Sequence, residues 1–321
     1  MNLSRRSLLL ALAGMAAPAL VRSQVKVTVL APGADVAGYY AASGWSSLHG
    51  GKRLTIPLLN LSFVTNSGFL PGARAAVDRD LPASLRLTGL QPADFQAIAD
   101  AVHDALVAEL KAQGLEVMSY DPLSVNAGFQ ELAHRAPRTG REEAPPARYE
   151  DIAGVSGARE TETFVAYRCP WVGSFDLANY LPAARLTREL DATLPIVSFL
   201  VDFISYSGDP KDVFDWSAFM PGAPAASVPK LRASPQVYVA AGRMELLTAD
   251  GQTAALELTT PVGYAHPFAT RLTAARGRTK DERKGGTWEV AVDPTAYRQT
   301  VIDLLKPQVV AMARKLAAGM Q

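Results

Sequence analysis

Leu59-Asn60-Leu61-Ser62-Phe63, and then the run from Pro92 to Tyr120, decide the fold. Leu59, Leu61 and Phe63 alternate with Asn60, Ser62 and Thr65, the period of a strand with one face toward a core. From Phe95 the apolar residues change to helical spacing, at Phe95, Ile98, Ala99, Val102, Leu106 and Leu110. Pro92 suits a first helical turn, Asp94 sets negative charge at the positive helix end, and Gly114 supplies a stop. Leu115 to Tyr120 then resumes a strand pattern, which predicts a helix that returns the chain to the sheet beside the first strand.

Working outward, the most hydrophobic strand is Ile196 to Ile204. Val197, Phe199, Val201 and Phe203 share one face; Ser198 and Asp202 share the other with Ile196, Leu200 and Ile204. A strand apolar on nearly both faces belongs at the centre of a sheet. Asp250-Gly251 separates two alternating runs and predicts a hairpin. Asp293-Pro294 opens a final helix with Tyr297, Val301, Leu304, Leu305, Val309, Met312 and Leu316 on its apolar positions. The expected fold is therefore α/β (an α+β sandwich), a mixed β-sheet with flanking helices and a C-terminal helix. Its strands are expected at 55–65, 115–120, 196–204 and 236–260, and its helices at 92–113, 181–190 and 294–317.

The N-terminus sets the compartment. Arg5 and Arg6, preceded by Ser4 and followed by an apolar run to Leu20, have the form of a signal peptide of the twin-arginine type. Cleavage after Ser23 would remove residues 1–23, leaving 24–321 as a single α/β domain in the bacterial periplasm. That cut takes Arg5, Arg6 and Arg22 and no acid, so 29 basic residues face 31 acidic ones and the net charge moves from +1 to −2. Such a balance gives no field for nucleic acid. No second apolar run is long enough to span a membrane. The Pro-, Arg- and Glu-rich stretch beginning at His134 reads as a flexible insertion at about 134–160. Cys169 is the single cysteine, so no intramolecular disulfide can form, and the thiol reads as a small buried apolar group.

The motifs of chemistry are sparse. The four histidines are His49, His103, His134 and His266, and none stands at metal-ligand spacing from a Cys, Glu or second His. His103 reads as a solvated or half-buried residue on the rim of the long helix. Gly154-Val155-Ser156-Gly157 is one residue short of a nucleophile elbow, and no phosphate-cradling loop is present. His266, between Gly263 and Phe268 in an aromatic stretch, and Asp202, inside an apolar strand, are the catalytic candidates. Tyr264, His266, Phe268, Arg276 and Arg278 form a possible binding loop. No cofactor is expected.

A strand before the helix Ala101 to Leu110, Gly114 and the strand Leu115-Glu116-Val117 after it, a second helix leading into Val197 to Phe203, the Asp250-Gly251 hairpin and the helix from Tyr297 to Leu316 follow in order. This order resembles the periplasmic α/β domains of the curli secretion channel CsgG and the N-terminal domain of the translocation protein TolB, over roughly residues 52–318. The resemblance implies the fold and a non-catalytic role in the cell envelope. The chain departs from it in having no lipid-bearing cysteine and no clear pair of pore-forming hairpins. The expected function is thus an exported, soluble assembly or binding factor that engages an envelope protein or cell-surface component through a sheet edge or loops. The alternative is a periplasmic hydrolase using His266 with Asp202 or a nearby serine.

Overall fold

Leu59, Leu61 and Phe63 are buried on one side of a strand and Leu58 on the other, as the alternation demands. The structure is a computed structural model that describes residues 27–31, 33–45, 48, 51–71, 84–136, 139–142, 148–152, 155–169, 177–208, 231–264, 269–274 and 287–320. The expected signal peptide lies outside these residues.

In chain order come β1 (Thr28–Leu30), a 3-10 turn (Ala37–Tyr39), β2 (Tyr40–Ser43), β3 (Arg53–Leu54), β4 (Leu58–Pro71) and β5 (Ser84–Thr88). Next are α1 (Pro92–Ala112), β6 (Glu116–Val117), α2 (Tyr120–Ser124), α3 (Ala127–Arg135), β7 (Gly140–Glu142), β8 (Arg148–Ile152) and β9 (Val155–Arg168). The last third holds α4 (Leu177–Leu190), β10 (Leu194–Gly208), β11 (Leu231–Leu247), β12 (Thr253–Leu258), β13 (Val262–Tyr264), β14 (Ala269–Ala274), β15 (Thr287–Val292) and α5 (Pro294–Gly319).

Among the described residues one mixed sheet holds 13 strands. Its spine runs β1-β13-β11-β10-β4-β5-β15-β14. The apolar strand β10 is central as expected: it pairs parallel with β4 and antiparallel with β11. Along its other edge β4 pairs antiparallel with β9, to which β7 and β8 are joined. The expected hairpin forms between β11 and β12, where Gly251 supplies the left-handed turn residue at φ 82°.

Two helical layers cover the sheet. On one face α1 and α5 meet Leu59, Leu61, Phe63, Val197, Phe199 and Phe203 in a large apolar cluster. These helices run side by side in the same direction, since Arg298 pairs with Asp94 near their starts and Arg314 with Glu109 near their ends. On the other face Leu123, Phe129, Leu132 and Leu186 from α2, α3 and α4 cover Leu58, Ile196 and Leu247. No described helix is long and apolar enough to cross a membrane.

Three expectations need correction. The strand after α1 is only two residues long and pairs parallel with β3 in a separate two-stranded sheet; it does not enter the main one. Residues 120–124 are helical instead, because Pro122 fixes a helical φ and lacks only a donor that the first turn leaves unpaired anyway. The stretch from His134 is not featureless. It begins in α3, which Asn126 caps by accepting the Phe129 N–H at 3.1 Å, and β7 and β8 then satisfy the outer edge of β9. Its charged composition suits strands at a solvated edge. Finally, β10 is not regular: register shifts fall between Leu200 and Val201 and between Asp202 and Ile204.

The stripe on α1 carries much of the stability. Ile98, Val102, Leu106 and Leu110 have no exposed surface, and burying each is worth about 1.5–3 kcal/mol. Leu106→Ala is expected to lower unfolding stability by about 2–5 kcal/mol, because the cavity adds to the lost burial. Urea melts of parent and variant check this; a loss under 1 kcal/mol would mean that α1 is seated elsewhere.

Candidate functional site

Asp202 is 2% exposed and sits in the irregular part of β10. Its Oδ1 accepts the backbone N–H groups of Phe203 at 2.8 Å and Ile204 at 3.1 Å. Its Oδ2 accepts the hydroxyl of Tyr238 at 3.0 Å. The carboxylate therefore caps its own bulge, as Asp side chains do where the ladder is interrupted. Tyr297, from α5, is fully buried; burial and then the Asp202 charge push its phenol up. Asp202, Tyr238 and Gly263 stand in one row across three strands.

Of the other sequence candidates, His266, Phe268, Arg276 and Arg278 lie outside the described residues, as do Arg5 and Arg6. Tyr264 is not on a loop. It belongs to β13, is buried, and donates its hydroxyl to the Asp303 carbonyl at 3.3 Å; burial raises its phenol. The structure thus brings Asp202 and Tyr264 onto neighbouring parts of one sheet, each with its polar end engaged.

A second constellation was missed from the sequence. His103 is only 3% exposed, against the solvated or half-buried place expected for it. The reason is the helical period itself: Ala99, His103, Leu106 and Leu110 repeat at steps of four, three and four. The Nε2 atom of His103 lies 3.7 Å from Sγ of Cys169, which follows the end of β9 with φ 65°. On the far side of the ring Asp104 Oδ1 is 3.6 Å from Nδ1, beyond hydrogen-bonding length, and Nδ1 has no hydrogen-bond partner among the described residues.

The electrostatics of this pair have one main cause. Burial holds His103 below its ordinary value and the Arg168 charge adds to that, against the opposing pull of Asp104 and the Pro57 carbonyl. Burial pushes the Cys169 thiol up to about 11, with Arg168 opposing and Asp100 assisting. The sequence of contacts Asp104, His103, Cys169 has the connectivity of an orienter, base and nucleophile. Both reacting groups are nevertheless held neutral, and a neutral thiol is a poor nucleophile. Among the described residues no group of three or more His, Cys, Asp or Glu is placed to hold a metal.

The described surface also shows large apolar side chains in water: Val125 is 76% exposed, Leu181 66% and Tyr120 50%. All three lie on the α2–α4 layer. Val29, on the edge strand β1, is the fourth. The layer is closely fitted where α3 meets α4, since a Cβ on Gly128 would stand 3.0 Å from the Pro182 carbonyl oxygen. Val125 and Leu181 flank that contact in sequence on its two sides.

No family model, curated protein or solved structure matches the chain, and none of these comparisons supports the resemblance to the CsgG and TolB domains.

Two measurements check the site. Asp202→Asn weakens charge-assisted hydrogen bonds and is expected to cost about 1–3 kcal/mol in thermal or urea melts; a variant as stable as the parent would show that the carboxylate is not structural. The second is a pH profile. The unfolded chain protonates His103 as pH falls below the ordinary 6.5, while the folded chain resists because its value is lowered. That contribution is whole above 6.5 and drains as pH falls toward the lowered value. Between pH 7 and 5 the parent should lose more stability than His103→Gln; equal slopes would place the imidazole in solvent.

Proposed function

We propose that the chain is an exported, non-catalytic factor of the bacterial cell envelope that binds a partner protein through its α2–α4 layer. The observation that carries the reading is the company of Tyr120, Val125 and Leu181, large apolar side chains exposed on one layer. A partner that covered these side chains would remove them from water, which is the gain such a contact would draw on. The twin-arginine pattern around Arg5 and Arg6 supports export. Three hydrogen bonds already made by Asp202 weigh against its service as the carboxylate partner of a catalytic His266.

The test is photo-crosslinking in the periplasm with a reactive amino acid placed at Val125, at Leu181, or at Lys111, an exposed residue of the opposite layer. The same envelope protein should appear in adducts from Val125 and Leu181 and not from Lys111, and Val125→Asp with Leu181→Asp should abolish its capture without altering the melting temperature. Absence of an adduct at both positions, or equal adducts at all three, would overturn the reading. Turnover of a p-nitrophenyl ester that disappears in His266→Ala would replace it with the hydrolase.

A further inference from the structure

We propose that Cys169 and His103 form a two-donor site for a soft monovalent cation of filled d shell, Cu(I) or Ag(I). The site uses none of the exposed residues Tyr120, Val125 and Leu181, although Cys169 packs against the cluster beneath the same layer.

The first support is the pairing of donors. A thiol and an imidazole nitrogen face each other at 3.7 Å, Sγ to Nε2. Sulfur selects soft ions, and imidazole suits the same metals through its unprotonated nitrogen. With metal–sulfur and metal–nitrogen bonds of about 2.3 and 2.0 Å, a linear bridge spans roughly 4.3 Å. The pair needs to open by only about half an ångström to take the ion between them.

The second support is the setting of the histidine. His103 is buried with Nε2 toward Cys169, while Nδ1 makes no hydrogen bond of normal length, lies 3.6 Å from the Asp104 carboxylate, and the ring also feels the Pro57 carbonyl. A carboxylate that closed from 3.6 Å to accept from Nδ1 would fix the tautomer of a metal ligand, with the proton on Nδ1 and the lone pair on Nε2. Binding would strengthen Nδ1 as a donor and draw in the exposed Asp104 side chain. Cys169 is only partly buried.

Charge decides between ions. Binding a monovalent cation exchanges the thiol proton for the metal: Cys–SH and M⁺ become Cys–S–M with His103 coordinated, and H⁺ leaves to solvent. The thiolate and the ion cancel, so nothing charged is added to a buried place. A divalent ion on the same two donors would add one positive charge beyond what the thiolate cancels, to be offset by the exposed Asp104 and by an Asp100 that already pairs with Arg168 at 3.4 Å.

The experiment is an anaerobic titration of the full mature chain with Cu(I) against a chromophoric chelator, repeated with Ag(I). Expected are a single ion per chain, a sulfur-to-metal absorption band in the near ultraviolet and release of a proton for each ion. Cys169→Ser should abolish binding, and His103→Gln and Asp104→Asn should each weaken it by about tenfold or more. Parental affinity in His103→Gln would overturn the proposal, because the ion would then sit on a lone thiol. So would binding that survives Cys169→Ser. Should His103→Gln fail to fold, the ring-proton resonances of His103 in the parent decide: they shift on adding Ag(I), and if they stay in place the site is refuted.

Discussion

Phe95 packs against Phe63 with ring centres 4.8 Å apart and against Phe164 at 4.7 Å, and the rest of the structure depends on that contact. It ties the first turn of α1 to β4 and to β9 at once. From there the stripe Ile98, Val102, Leu106 and Leu110 lies down along the sheet without further choice, because residues three and four apart share a helix face. α1 in turn gives α5 a partner running in the same direction. The same seating turns His103 toward the end of β9, so the imidazole meets Cys169 as a by-product of packing. One aromatic contact therefore sets the core and brings His103 to Cys169.

The sequence carried the fold better than the site. Helical spacing in α1 and α5, alternation in β4 and in β10 as far as its bulge, and the Asp-Gly turn are local patterns, and each appears where its period predicts. What was not legible was long-range or depended on neighbours. β6 has a strand composition, but its partner is the short β3, and nothing in Glu116-Val117 names it. The charged stretch after His134 reads as unpackable, yet the unpaired edge of β9 gives its backbone somewhere to bond. His103 and Cys169 are 66 residues apart, and no spacing rule joins them. The burial of His103 was within reach, since it sits in phase with Ala99 and Leu106. Its polarity obscured that phase.

Buried polar groups in this protein are handled in two ways. Asp202 sits at a break in the ladder, where two backbone amides of its own strand and a tyrosine from the next are free to answer it. The bulge and the carboxylate explain each other: without the bulge those amides would belong to the ladder, and without the carboxylate they would be left unpaired. Gln308 shows the other way. Its Oε1 accepts the Tyr40 hydroxyl at 2.7 Å, while its Nε2 has no partner among the described residues. That half-satisfied amide sits beside Pro307 on the buried side of α5, and it is a cost that the surrounding apolar contacts carry.

The two faces of the sheet are covered unequally. The large cluster lies under helices of 21 and 26 residues. The small one lies under helices of 5, 9 and 14. Helices that short have little stability of their own and are held by what they pack on. They bury Leu123, Phe129, Leu132 and Leu186 downward, and there is too little helix to enclose the apolar side chains that remain. Val125 and Leu181 are those side chains, placed where α3 and α4 are drawn together by the close approach at Gly128. Exposure there follows from a thin layer stretched over an apolar sheet face, and among the described residues it leaves apolar side chains for which removal from water is still to be gained.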